Sequence, residues 1–322
     1  MNIEDEFGRR RGELLAHCYH MLGSLHDAED AVQETYLRAW RGFARFERRS
    51  SVKTWLYRIA TRVCLNALAH SSRRMVPSAL GAPGTDPDDL EPRIPEASWL
   101  EPFPDLVGPD PALVVGARQS LRLAMVAALQ HLPPRQRAVL ILRDVLVWPA
   151  ADVAGLLETS PAAVNSSLQR ARAELARLAP HEEEIGEPAE PTRRALLDRY
   201  ADAFERADLA ALEGLLTADV RWEMPPVPTW FAGRADVLRL LRAKLRPEPG
   251  ARVLVPTGAN GQPAFAWYVR DPDGVHRAHT IQVLTLSGAR VRAVLAFHRA
   301  DLFDAFGLPG TLRHAQPAAA RR

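Results

Sequence analysis

Apolar positions in the first 75 residues recur at the three- and four-residue intervals of a helix. After Ser24, which suits an N-cap with Asp27 three residues on, Ala28, Ala31, Val32, Thr35, Tyr36, Ala39 and Trp40 keep that spacing. The acids Asp27, Glu29, Asp30 and Glu34 come early and Arg38 and Arg41 late, the order a helix dipole favours. Asp30, Gln33 and Glu34 share one acidic face, open to two readings: a solvated surface or a partner surface. A second helix is expected from Lys53 to about His70, with Leu56, Ile59, Ala60, Val63 and Ala67 on its core arc and Trp55, Arg58, Arg62 and Asn66 opposite. An aromatic ring flanked by guanidinium groups suits single-stranded nucleic acid, because bases stack on the ring while the cations follow the phosphates. Arg45, Arg48, Arg49 and Lys53 extend that positive field. The blander alternative has Trp55 packed on a neighbouring helix and the arginines solvated.

Between 118 and 179 the periodicity is again helical. Leu121, Leu123, Val126 and Leu129 form one stripe, Leu132-Pro133-Pro134-Arg135-Gln136-Arg137 interrupts it, and 138–145 resumes it. A segment from Pro149 to Leu157, a break at Glu158-Thr159-Ser160 and a helix opening at Pro161 then make a helix, tight turn, helix arrangement. In the last helix Val164, Leu168, Ala171, Leu175 and Leu178 define the buried stripe. The opposite face offers Ala162, Asn165, Ser166, Gln169 and Arg170, residue types that read base edges in a major groove, and Arg172 suits the phosphate backbone.

From 193 to 310 the pattern changes class. Helices are expected over 196–207, 209–216 and 233–245, followed by strands near 252–257, 264–270, 276–286 and 290–298, with hairpin turns at Asp273-Gly274 and Ser287-Gly288. Helices followed by a run of antiparallel strands indicate an α+β domain with the helices against one face of a curved sheet. The fold class expected is therefore multidomain: two all-α domains, 1–75 and 118–179, plus the α+β domain at 193–310. A proline-rich acidic linker at 76–117, a shorter linker at 180–192 and a tail at 311–322 complete the chain.

Charge changes this picture more than composition does. The formal net charge of the 322 residues is only +2, which alone suggests no nucleic acid. By segment it is −5 over 1–34, +9 over 35–75, −7 over 76–117, +4 over 118–179 and −5 over 180–192. The two basic blocks coincide with the two candidate nucleic-acid helices. No apolar run approaches the ~20 residues of a membrane span, and the acidic start is unlike a signal peptide, so a cytoplasmic location without membrane association is expected. Cys18 and Cys64 are too few for a disulfide framework or an all-cysteine zinc site. His17, Cys18 and His20 lie on one helical turn and cannot all face one ion, so neither metal nor cofactor is expected.

In sequence, Asp27-Ala28-Glu29-Asp30-Ala31-Val32-Gln33-Glu34-Thr35-Tyr36-Leu37-Arg38-Ala39-Trp40 resembles region 2.2 of extracytoplasmic-function sigma factors. Lys53-Thr54-Trp55-Leu56-Tyr57-Arg58-Ile59-Ala60-Thr61-Arg62 is similar to their regions 2.3 and 2.4. Leu132 to Arg137 and Val164 to Arg172 resemble region 4, with helix-turn-helix architecture. The resemblance implies that Asp30, Gln33 and Glu34 bind the β′ clamp helices of core RNA polymerase, with the β flap as a further contact. It implies that Arg48, Arg49, Lys53, Trp55, Arg58, Arg62 and Asn66 serve −10 melting, and that Ala162, Asn165, Ser166, Gln169, Arg170 and Arg172 read the −35 element of promoter DNA. Val147 and Pro149 depart from the Gly and Ser expected ahead of the helix-turn-helix.

The third domain, through its element order and Phe231-Ala232-Gly233-Arg234-Ala235-Asp236-Val237, resembles the cone-shaped SnoaL-like fold of the nuclear-transport-factor-like superfamily. Such a domain occurs in one subset of these sigma factors, the sigma-G-like class among them, where it is thought to regulate in cis, and Trp99-Leu100-Glu101-Pro102 resembles a linker motif of that subset. Trp222, Met224, Trp230, Trp267, His279 and His298 are the candidate cone-pocket residues. No carboxylate is evidently placed among them to tune a histidine, so they read as core or an apolar ligand pocket, and no enzymatic activity is expected. A separate anti-sigma factor and a small-molecule ligand stay open as further partners. The alternative from another class is a SnoaL-like enzyme or small-molecule-binding domain fused to a DNA-binding regulator.

Overall fold

The computed structural model describes residues 2–46, 50–70, 73–92, 94, 99–105, 122–178 and 188–312. They form two compact units, Met1–Met75 with Ser98–Pro180, and Val76–Ala97 with His181–Arg322. Each is taken by itself.

The first unit is helical: α1 (Ile3–Gly8), α2 (Arg11–Leu22), α3 (Leu25–Gly42), α4 (Val52–Leu68), α5 (Leu123–Leu129), α6 (Pro134–Leu140), α7 (Ala150–Leu157) and α8 (Pro161–Leu178). Helix α2 is its axis. Every residue from Leu14 to Leu22 is buried, because α3, α4, α5 and α6 all pack around it. A helix covered on all sides carries no polar stripe, which is why no periodicity announced it. Ser24 caps α3 by accepting from the Asp27 amide, as its position predicts, and Ser51 does the same for α4 with the Thr54 amide.

The two helical segments, expected as separate domains, pack in one unit, and a buried arginine is one of the links between them. Arg137, 3% exposed, donates to the Met21 carbonyl at the end of α2 and, at 2.6 and 3.0 Å, to the Gln130 side chain and carbonyl. A cation at a helix C-terminus is favourably placed, and burial pushes its pKa down to about 10. Gly23 makes the close approach possible. It ends α2 at φ +71°, and a Cβ there would lie 2.9 Å from the Gln130 side chain.

The second unit contains α9 (Glu190–Glu205), α10 (Leu209–Leu215), β1 (Leu216–Met224), β2 (Val227–Ala232), α11 (Arg234–Lys244), β3 (Arg252–Ala259), β4 (Gln262–Arg270), β5 (His276–Ser287), β6 (Arg290–Phe297), α12 (Leu302–Ala305) and β7 (Thr311–Leu312). The sheet order is β2-β1-β6-β5-β4-β3, with β7 on β5. Two strands precede α11, and β1 runs parallel to β6, so the sheet is mixed where an antiparallel run after three helices was expected. Tyr200 and Phe204 of α9 and Val237 and Leu241 of α11 pack on the sheet with Trp222, Phe265, Leu284 and Val294. The α+β class holds.

Candidate nucleic-acid interface

Helix α4 carries the proposed single-strand face. Its buried residues are Leu56, Tyr57, Ala60, Thr61, Val63 and Cys64. Ile59 is half-buried and Ala67 exposed, so the core arc is rotated from the expected one towards Tyr57 and Thr61. Both reach neighbours: Thr61 Oγ1 lies 3.0 Å from His17 Nε2, and the Tyr57 ring meets Trp148 edge-on at 5.3 Å. Burial, with a smaller push from His20, holds His17 far below the usual imidazole value, at about 3.

Trp55 is half-buried in an aromatic group, 4.9 Å from Phe46 and 6.2 Å from Phe43. The blander reading is thus partly realised: Trp55 lies against the C-terminal end of α3 at Gly42 and the turn that follows it. Lys53 pairs with Glu13 at 2.8 Å. Arg58 is half-buried with its Nε unpartnered, Asn66 is exposed, and Arg62 forms an ion pair with Glu158 in the turn between α7 and α8. Arg48 and Arg49 lie outside the described residues. Phe43 and Phe46 were not singled out from sequence; their three-residue spacing just ahead of the tryptophan helix is the signal that could have found them.

On α3 the acidic face is present. Asp30 is exposed, as is Gln33, and Glu34 pairs with Arg38 at 2.6 Å. Leu37 and Trp40, 38% and 59% exposed, fall on the same face by helical spacing. Trp40 was expected to continue the buried stripe and instead faces water.

Helix α8 is the other candidate. Ser160 Oγ accepts from the Ala163 amide, capping it as expected. Val164, Leu168 and Ala171 are buried, leaving Ala162, Asn165, Ser166, Gln169 and Arg170 exposed along its N-terminal half. Arg172 is engaged in a two-pronged pair with Asp144, at 2.8 and 2.7 Å, and that carboxylate raises its pKa.

In the second unit Phe204 joins Trp222 to Trp267, and Trp267 in turn meets His279 and His298. The Phe204 ring lies parallel to Trp222 at 6.2 Å and edge-on to Trp267 at 5.1 Å. A register shift at Trp267/Tyr268 leaves His279 as the extra residue of β5, and such a bulge re-aims a side chain. His279 thereby stands 4.7 Å from Trp267 and 5.3 Å from His298. Both imidazole Nδ1 atoms contact Thr280 Oγ1, at 2.6 and 2.9 Å. Met224 belongs to the same core cluster. Trp230 does not join the imidazoles: its indole N–H donates to the Gly81 carbonyl at 2.9 Å. Among the described residues no group of three or more His, Cys, Asp or Glu side chains is arranged to hold a metal ion, and no described helix is long and apolar enough to cross a membrane.

Family models match all three parts: Sigma-70 region 2 over residues 7–74, Sigma-70 region 4 over 122–175 and a SnoaL-like domain over 197–301. The fold is thus that of a two-region sigma factor with an appended α+β domain. The ECF RNA polymerase sigma factor SigG of Mycobacterium tuberculosis is 49% identical over 306 residues, covering 94% of this chain and 82% of that protein. SigJ of the same organism is 29% identical over 222 residues, 67% of this chain and 62% of that protein. Its crystal structure superposes with a TM-score of 0.62 at 25% identity, covering 96% of this chain and all of that one. The chain belongs to the extracytoplasmic-function family of RNA polymerase sigma factors.

Proposed function

We propose that this chain binds core RNA polymerase and directs promoter-specific initiation, melting the −10 element with α4 and reading the −35 element with α8, while its SnoaL-like domain regulates it in cis. The observation that carries this reading is the free N-terminal half of α8. A capped helix offering Asn165, Ser166, Gln169 and Arg170 to solvent fits a major groove, where Asn and Gln pair with adenine and Arg with guanine. Trp55, with Phe43 and Phe46 behind it, gives a stacking surface for an unpaired base. The Asp30, Gln33 and Glu34 face, widened by exposed Leu37 and Trp40, is the surface assigned to the β′ clamp helices, because exposed apolar side chains rimmed by acids mark a partner site. The β flap is assigned to the second helical segment by family resemblance alone. Cytoplasmic action follows from that partner.

The SnoaL-like domain is assigned no reaction. Its paired imidazoles share one threonine hydroxyl.

The test is transcription in vitro with purified core polymerase on promoters mapped from transcripts that depend on this chain. Promoter-dependent product is expected, and charge reversal at Asp30 and Glu34 should weaken polymerase binding. No transcript from the full chain or from one lacking 190–322 would defeat the assignment.

A further inference from the structure

Residues 76–97, part of the 76–117 stretch that the sequence presents as an extended acidic linker, belong to the second unit although the chain on both sides of them belongs to the first. Both ends of this excursion are pinned. Met75 and Trp99 form a parallel bridge, and the Leu100 amide donates to the Met75 carbonyl at 2.9 Å. Beyond it, the Glu101 amide donates to Gly23 at 3.0 Å, the Tyr19 hydroxyl to the Glu101 carbonyl at 2.7 Å, and Ser24 Oγ to the Glu101 carboxylate at 2.9 Å. Trp99, Leu100 and Phe103 are 7%, 1% and 2% exposed. The segment therefore leaves sigma region 2 and returns to it at one place.

Between those ends the segment runs along β2, an edge strand of the second unit's sheet. The Gly84 amide donates to the Trp230 carbonyl at 2.7 Å and the Ile94 amide to the Pro226 carbonyl at 3.3 Å. Side chains supply the rest. The Ser78 amide donates to the Glu223 carboxylate and the Glu91 amide to Thr229 Oγ1, both at 2.9 Å, the Trp230 indole to the Gly81 carbonyl, and Arg239 to the Thr85 carbonyl at 2.6 Å. Pro77 and Pro87 are buried and Leu90 packs against the domain core. Fit is close at Gly84, where a Cβ would stand 2.8 Å from Thr229 Cγ2. Glu223 is 4% exposed, and a carboxylate that deep needs a donor; the Ser78 amide is one. An open sheet edge is a ready template for another strand, and here the chain's own residues cover it.

We propose that 76–94 is a tethered ligand of the SnoaL-like domain, so that the domain holds sigma region 2 through a second, non-covalent attachment that does not depend on the connection at 179–189. The peptide-docking edge is β2, and its occupant is this segment. If the sigma reading above holds, the segment is also a route by which a change in the domain reaches region 2, since tension on it acts at Met75 and Trp99.

The test needs no polymerase, so its failure is distinguishable from failure of the sigma assignment. A protease site placed within 181–187 of the full chain is cut, and the products are run by gel filtration at micromolar concentration. The N-terminal product keeps 76–94, and the C-terminal product, 188–322, is expected to co-elute with it. Gly84→Leu combined with Trp230→Phe should weaken that association at least tenfold, whereas Glu223→Gln, which keeps an acceptor for the Ser78 amide, should preserve it. Separation of the wild-type products, or co-elution unchanged by Gly84→Leu with Trp230→Phe, would overturn the proposal. Hydrogen exchange on the uncut chain is the check against misfolding. The Gly84, Glu91 and Ile94 amides should be protected in the wild type and lose that protection in the double variant while β5 and β6 amides keep theirs; free exchange of the three amides in the wild type would also overturn it.

Discussion

Helices α4 and α8 are both basic, both amphipathic and both assigned to DNA, yet they wait for it differently. The reading face of α8 is unencumbered: Asn165, Ser166, Gln169 and Arg170 are exposed, and only Arg172, further along, is taken up by Asp144. On α4 three of the five described candidates already have an intramolecular partner. Trp55 lies against Phe43 and Phe46, Lys53 on Glu13 and Arg62 on Glu158. The contrast is what the two proposed tasks would require. Reading duplex needs a rigid helix whose polar groups water can give up cheaply, whereas melted strand must displace something, and the groups that hold it can meanwhile be satisfied within the protein.

The sharpest way to break the comparison is at α8. Asn165→Ala with Gln169→Ala removes two base-edge partners, each worth about 1–3 kcal/mol of discrimination. Affinity for a −35 duplex should fall by roughly 30-fold or more, with no change in melting temperature, because both side chains are exposed. Binding by fluorescence anisotropy that moved less than about threefold would show that α8 does not read bases. Trp55→Ala is the matching change in α4. Stacking contributes about 1–3 kcal/mol per base, so promoter opening, followed by permanganate reactivity of unpaired thymines, should drop about 5-fold or more while −35 duplex binding holds. Trp55→Phe should retain most of the opening. Equal loss of opening and duplex binding would return Trp55 to a packing role.

These faces were legible in the sequence to different depths. Helix α8 was clear because one side only is buried, so Val164, Leu168 and Ala171 alternate with polar residues and Ser160 marks the start. Helix α4 was legible as a helix, but its orientation was off by a fraction of a turn, because Tyr57 and Thr61 are buried by neighbours distant in sequence, Trp148 and His17. Helix α2, buried all round, had no pattern to show. In the α+β domain β1 shows the strand alternation Val220, Trp222, Met224, but it follows α10 with no turn between them, which hides its start. Asn260-Gly261, both at positive φ between β3 and β4, marks the hairpin there, Asn-Gly being the strongest short hairpin signal. The capture of 76–94 was not legible: the segment is held mostly through backbone amides and carbonyls, and the few side chains it buries, Pro77, Pro87 and Leu90, form no periodic pattern.

Acid should separate the helices in a smaller way. His17 Nε2 supports Thr61 of α4 from inside the core, and burial depresses its pKa to about 3. The imidazole is therefore neutral in the folded unit but takes up a proton in the unfolded chain below about 6.5. A depressed folded value contributes stability that is present above the unfolded pKa and lost as pH falls below it. The first unit should lose about 1.4 kcal/mol for each pH unit between about 6.5 and 3 from this group. Urea denaturation followed by tryptophan fluorescence at pH 7.5 and 5.5 checks it, and His17→Gln should flatten the dependence. An unchanged slope in that variant would assign the acid sensitivity elsewhere.

The smallest effect tests whether the pairing on α4 restrains it. The Arg62–Glu158 pair is solvent-exposed on both sides, 50% and 73%, and such pairs contribute at most about 1 kcal/mol. Glu158→Gln removes the charge while leaving a residue of the same length in the left-handed turn, φ +55°. If Arg62 is drawn on by single-stranded DNA, this variant should bind a −10 non-template oligonucleotide about two- to fivefold more tightly than wild type at low salt. The difference should vanish above roughly 0.5 M salt, where surface charges are screened within a few ångströms. Arg62→Gln should erase the gain altogether. Equal affinities of the Glu158→Gln variant and wild type at low salt would mean that the pair costs DNA nothing to open, and α4 would then be as ready for its ligand as α8.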